Sequence, residues 1–391
     1  MENLNEFDIV LKTLNDSFDK VIHFHNISPE QQLGLRSFFE RVSAHENLFK
    51  SIPLVIAPFK AKNVSSLSSN INNLKFPTEF KTPQEIYDCL IKCCIELSIP
   101  VYATSKDNIV LKEKICDGTL GEVRKAILEK EEFVIKLIDL NGDLSYNDTE
   151  MTIKNILSEL LIMSSIQHPK IPKFYGLFQD DKGDKMIGLI FQNIEGITLK
   201  DYVLGTNETK TKPTDKELFN LMNQLVEAII FLHEKNLVHR DLHPEKVLVT
   251  SDWTVYLTGF GMAMINHIIL SFNLKDHLHR HEFHYYPPEG CKDVYDEDDD
   301  YDINKFKITA KYDVWSLGCI MIFMFSPNHT PWVKYKDSNK MVTALKRMPE
   351  RVYQKFDENH KAYELIKMCC KSQADDRCTS SELLEKLKAI K

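Results

Sequence analysis

Apolar positions in the first hundred residues recur at intervals of three and four. Leu4, Phe7, Leu11, Leu14, Phe18 and Val21 form one stripe, the period of a helix buried on one side. A second helix is expected from Ser28, with Pro29 in its first turn and Gln31 placed to close a capping box. A third starts at Thr82, with Pro83 next and Glu85 at the third position, and turns Ile86, Leu90, Cys93 and Leu97 to one face. Between the second and third helices the chain is polar and aperiodic over 62–73 (KNVSSLSSNINN), so a loop is expected within 62–81.

From about residue 108 the period becomes that of strands. NIVLKEKI, GEVRKAIL and EFVIKLIDL are short runs rich in Val and Ile with turn residues between them. A helix is expected over about 150–166, then strands near 173–179 and 186–192. Beyond about 198 the pattern is mainly helical. Its clearest stretch is 214–233, opened by Thr214-x-x-Glu217 and carried by Leu218, Leu221, Leu225, Ile229 and Leu232. Strands first and helices after predict an α+β, two-lobed domain with a cleft. The expected layout is a helical N-terminal region over 1–100, then a domain over 108–390 divided near residue 195.

Composition changes this picture little. With 391 residues, 43% apolar and 27% charged, the chain is of ordinary globular type. The net charge of −8 argues against nucleic acid or an anionic membrane as the main partner. Nine cysteines, with neighbours Cys93–Cys94 and Cys369–Cys370 and no C-x-x-C, suit thiols in a reducing compartment. Cys89 and Cys93 share a helix face and read as core packing, since nothing nearby completes a zinc site. The acidic start, MENLNEFDIV, is unlike a signal peptide, and the strongest apolar run, GCIMIFMF, is too short to span a bilayer. The cytoplasm, or the nucleus, is the expected location.

The candidate chemistry lies in ordered motifs. CDGTLGEV (116–123), FVIK ending in Lys136, Glu159, HRDLHPEKV (239–247), GFG (259–261), YYPPE (285–289), DVWSLG (313–318) and DDRCTSSELL (375–384) follow one another. In order and spacing they resemble the eukaryotic protein kinases, over about 280 residues. The resemblance implies a bilobal kinase fold and a nucleotide site. Gly118 and Gly121 would let backbone N–H groups approach phosphates, with Cys116 replacing the usual first glycine. Lys136 would meet the phosphates and pair with Glu159. Val123, Val134 and Leu248 would sandwich the adenine. Val134 adds two methyls where alanine is usual, an overpacking that costs roughly 1–3 kcal/mol. Phe191 would be a large gatekeeper before a hinge of Gln192, Asn193 and Ile194. Met163, Phe174, His239 and Phe260 would stack through both lobes, anchored by Asp313.

The chain departs from the family at the groups that handle phosphate charge. The two metal-holding positions are Gly259 and Lys246, and the lysine usual two residues past Asp241 is His243. No metal is therefore expected, and ATP, if it binds, would bind without Mg²⁺. Asp241 reads as a retained structural acid, hydrogen-bonded to backbone or to Arg240. Lys246 either places its ammonium near phosphates, points to solvent or pairs with an acid. The expectation is a catalytically impaired homologue, a pseudokinase, that regulates or scaffolds through protein partners on its N-terminal helices or domain surface. The alternatives are a weak or metal-independent Ser/Thr kinase, and a scaffold whose pocket Val134 and Phe191 occlude. Two further stretches, the histidines of HLHRHEFH (277–284) and the acidic run DEDDDYD (296–302), read as solvated loops.

Overall fold

The computed structural model describes residues 54–55, 85, 88–89, 92, 101–104, 109–117, 121–128, 131–139, 149–180, 186–206, 212–265, 284–290, 308–326, 331–332 and 338–390. The expected helices over 4–21 and from Ser28, the 62–73 loop, Gly118, the histidines at 277, 279 and 281, and the 296–302 run lie outside them. The third expected helix is seen at Glu85, Asp88, Cys89 and Lys92, all helical, and Cys89 packs against the main core.

The three Val/Ile-rich runs are strands β3 (Ile109–Asp117), β4 (Glu122–Leu128) and β5 (Glu131–Asp139), paired antiparallel in that order. Helix α1 (Thr149–Ser165) crosses to β6 (Phe174–Asp180) and β7 (Met186–Gln192), and β7 joins β5. Alternation sorts the side chains by face, because successive residues of a strand point opposite ways. Ala126, Leu128, Phe133, Ile135 and Leu137 bury one small core, and Ile138, Leu177 and Leu189 join α1 in the larger one. Two strands lie in or just after the stretch read as helical: β1 (Leu54–Val55) and β2 (Val101–Thr104), the latter parallel to β6. Pieces of two and four residues are too short to show a period.

The second lobe is helical as expected. Helix α2 (Leu199–Leu204) is followed by α3 (Asp215–Glu234), and Thr214 with Glu217 forms the reciprocal capping box. Leu218, Leu221, Leu225, Ile229 and Leu232 are all buried. Helix α4 (Lys311–Phe325) is buried on every face, which explains its unbroken apolar run. Helices α5 (Ser338–Arg347), α6 (Tyr363–Cys369) and α7 (Ser380–Lys388) complete it, with α7 on α3. Among the described residues no helix is long and apolar enough to cross a membrane. Fully buried Arg377 reaches the Glu289 carboxylate with both terminal nitrogens, at 2.6 and 2.8 Å, and so ties the chain before α7 to the YYPPE turn.

Two small sheets interrupt this helical lobe, and they build the site. One joins β8 (Gly196–Thr198), β10 (Val247–Thr250) and β11 (Val255–Leu257); the other joins β9 (Leu237–Val238) and β12 (Met264–Ile265).

Candidate functional site

On the β-rich side, Lys136 projects from β5 and Glu159 from α1, and Nζ meets Oε2 at 2.5 Å. Both are buried. An unpaired charge there would carry a desolvation cost of several kcal/mol, so each holds the other in place. Val123 lies opposite Lys136 in the β4–β5 register, and Val134 opposite Phe191 in the β5–β7 register. Phe191 rests on Phe174 with ring centroids 5.3 Å apart. The Gln192 side chain folds back to accept from the Lys173 N–H, and Ile194 is half-buried just beyond. Gly121 has a reason for being glycine that does not involve phosphate. A Cβ there would stand 1.9 Å from the Leu137 carbonyl oxygen, so β5 passes too close for any side chain.

Met163, Phe174, His239 and Phe260 are each buried, and the His239 and Phe260 rings meet edge to face at 5.0 Å. His239 donates from Nε2 to the Thr258 carbonyl at 2.9 Å, while its Nδ1 accepts from the Asp241 N–H at 3.3 Å. Burial holds its pKa below the ordinary value, which keeps it neutral for this pair of bonds. Asp313 accepts from the N–H groups of His239 (2.8 Å) and Arg240 (2.9 Å), and His233 Nε2 lies 3.1 Å from the same carboxylate. That bracing supports the left-handed backbone of Arg240, at φ 67°.

The loop following Asp241 carries two of the substituted positions, His243 and Lys246. Lys246 Nζ stands 3.3 Å from Asp241 Oδ2. Of the roles open to Lys246, the structure therefore shows the pairing with an acid, and it gives Asp241 an ammonium as its charged partner. The Tyr286 hydroxyl donates to the other oxygen, Oδ1, at 3.4 Å, and His243 Nε2 is 3.9 Å from that oxygen. His243 is buried, its Nε2 makes no hydrogen bond, and burial lowers its pKa to about 4 against the pull of Asp241. It is thus neutral and supplies none of the charge of a lysine. Leu248 is half-buried on β10, beside Thr198 and Tyr256. Cys116 is solvent-exposed by area, yet nearby protein desolvates the thiol enough to raise its pKa, and the Lys246 ammonium pulls the other way.

Tyr286 escaped the sequence reading, although YYPPE was recognised. Nothing in a linear motif says which of two tyrosines turns its hydroxyl toward a carboxylate 45 residues earlier.

The residues present do not fit a divalent cation. Gly259 offers no oxygen beyond its backbone, and an ammonium lies where charge would have to be attracted. A divalent ion about 4 Å from Nζ would be repelled by roughly 8 kcal/mol at an effective dielectric constant near 20. Lys136 and Lys246 are the residues whose ammonium groups would hold a nucleotide polyphosphate.

The comparisons with known proteins show the family. The family model described as "Protein kinase domain" matches residues 109–387, more than two thirds of the chain. The serine/threonine-protein kinase cds1 of Schizosaccharomyces pombe is 27% identical over 54% of this chain and 42% of its own length. Calcium-dependent protein kinase 5 of Plasmodium berghei is 27% identical over 68% of this chain and 42% of its own. A probable cell division protein kinase of Encephalitozoon cuniculi is 26% identical over 71% of this chain and 95% of its own. The chain thus spans less than half the length of the first two.

Proposed function

The chain belongs to the protein kinase family, and on that premise we propose that it is a catalytically impaired member, a pseudokinase. It would act as a signalling regulator or scaffold that binds ATP without divalent metal. One observation carries this reading: the Lys136–Glu159 pair is assembled, while Lys246 has taken the place of a metal ligand and neutralises Asp241. Phosphoryl transfer in this family rests on positioning and on metal-borne charge neutralisation. The first of these requirements has its residues here, and the second does not.

Lys136 would hold the phosphates, with Val123, Val134 and Leu248 around the base and Gln192 and Ile194 along its edge. Gly118 would lie over the phosphates, and Lys246 would supply a second positive charge. Partners would be proteins, bound by the surface of the domain or by residues 1–100, with no nucleic acid. Thiols rather than disulfides at Cys319, Cys369, Cys370 and Cys378 suit the cytoplasm.

Thermal unfolding with ATP, in Mg²⁺ and in EDTA, tests the reading. A ligand of the native state stabilises it by about 2.7 kcal/mol at a hundred times its Kd. The expected shift survives EDTA and disappears in Lys136→Ala. A shift that strictly requires Mg²⁺ would overturn the metal-free reading; no shift at all would leave the occluded scaffold, with Val134 and Phe191 filling the pocket.

The retention of Asp241 favours one second reading, a weak Ser/Thr kinase. Phosphate transfer to protein that vanishes in Asp241→Asn would establish it.

A further inference from the structure

In the sequence, Gly259 and Lys246 look like two separate losses. The fold puts them in contact. The β10–β11 register Val247↔Leu257 runs on one step, where the Thr258 N–H donates to the Lys246 carbonyl at 2.8 Å. Thr258 Oγ1 donates to the same carbonyl at 3.1 Å. The backbone of Lys246 is thereby fixed against the residue that precedes Gly259.

The Lys246 stem lies across the bare α-carbon of Gly259. A Cβ at position 259 would stand 2.5 Å from Cδ of Lys246, 3.1 Å from Cε and 3.3 Å from Cγ. Carbon atoms in good contact sit about 3.5–4.0 Å apart, so no side chain can share this space with the lysine as placed. Gly259 also has φ 83° and ψ 47°, a left-handed conformation that glycine adopts without penalty. Past the glycine, the stem carries Nζ to Asp241 Oδ2.

We propose that Gly259 is a positioning residue, its missing side chain forming the slot through which Lys246 reaches Asp241. The two substitutions together make one internal cation site, a tethered ammonium in place of a divalent ion. Its ligand class is a nucleoside triphosphate free of metal, and for that ligand the inference rests on the pseudokinase reading above. The slot itself does not depend on nucleotide. One consequence follows directly: neither position can be reverted alone. Gly259→Asp brings its carboxylate against the lysine, where it is consumed in an internal ion pair. Lys246→Asn leaves a single metal ligand.

Two measurements test this. The first is thermal unfolding without nucleotide, with Gly259→Ala made in the parent, in Lys246→Met and in Lys246→Ala. Methionine keeps the stem and drops the charge. The expected loss of Tm is several degrees in the first two backgrounds. It is smaller in the third, where only backbone strain remains. Equal losses in all three, or failure of Gly259→Ala to fold in every background including Lys246→Ala, would mean that backbone strain alone holds position 259, and the slot falls. The second is the Mg²⁺-dependent part of the ATP-induced Tm shift. It is expected only in the Gly259→Asp/Lys246→Asn double variant. Its appearance in Gly259→Asp alone overturns the proposal. A parent that ignores ATP under all conditions defeats the nucleotide reading, while the first measurement still decides the slot.

Discussion

Two lysine–carboxylate pairs mark the site, and they differ in reach. Lys136 and Glu159 come from a strand and a helix and meet at 2.5 Å, with side chains 7% and 5% exposed. Lys246 and Asp241 come from a single loop and meet at 3.3 Å, with the lysine 21% exposed. The first pair exists only when α1 is docked on the sheet, so it reports assembly of the lobe. The second needs only the loop and the slot at Gly259. A fold can thus keep a long-range ion pair between two elements while the charges of a nearby loop are arranged differently.

The contrast is sharpest in a truncation. Lys136→Met should lower unfolding free energy by about 3–5 kcal/mol, because it strands Glu159 as a buried charge. Urea unfolding checks this, and Lys136→Met/Glu159→Gln should recover much of the loss. A cost below about 1 kcal/mol would put the two pairs on an equal footing and break the comparison.

The altered loop has its own pH signature. His243 titrates near 4 in the folded protein and near 6.5 unfolded, so below 6.5 the unfolded chain binds a proton that the native one refuses. Its contribution to stability is whole above pH 6.5 and is lost as pH falls toward 4, by about 3 kcal/mol. Urea unfolding across that window should show a flatter profile in His243→Gln. Parallel profiles would show that the imidazole titrates normally.

A smaller effect concerns the tethered charge. Asp241→Asn releases the Lys246 ammonium toward the phosphates and should tighten metal-free ATP binding about tenfold by calorimetry, worth about 1.4 kcal/mol. Weaker binding would mean that Asp241 holds Lys246 in its useful position. The smallest effect is expected on the β-rich wall. Val134→Ala relieves crowding opposite Phe191 and should tighten ATP binding about fivefold, near the lower end of overpacking costs. No change would mean that the pocket accommodates valine.

Much of this was legible in the chain. The capping box at Thr214 and Glu217 and the buried stripe from Leu218 to Leu232 came from local chemistry and spacing, and the Lys136–Glu159 pairing from the kinase resemblance. The small sheets of the second lobe were not legible, since two to four residues carry no period. Gly121 was assigned to phosphate approach, and the structure adds a tighter constraint in the Leu137 carbonyl.

The sequence by itself determined the order of the longer elements from residue 109 onward, the family and the identity of each substituted group, because periodicity, caps and motifs are written in neighbouring residues. What Lys246 does was decided by tertiary structure. Gly259 and Lys246 are brought together by β10–β11 pairing, and whether a lysine points to solvent or to Asp241 depends on a space that only the folded backbone leaves open. Shape between distant residues is the quantity that a linear pattern does not contain.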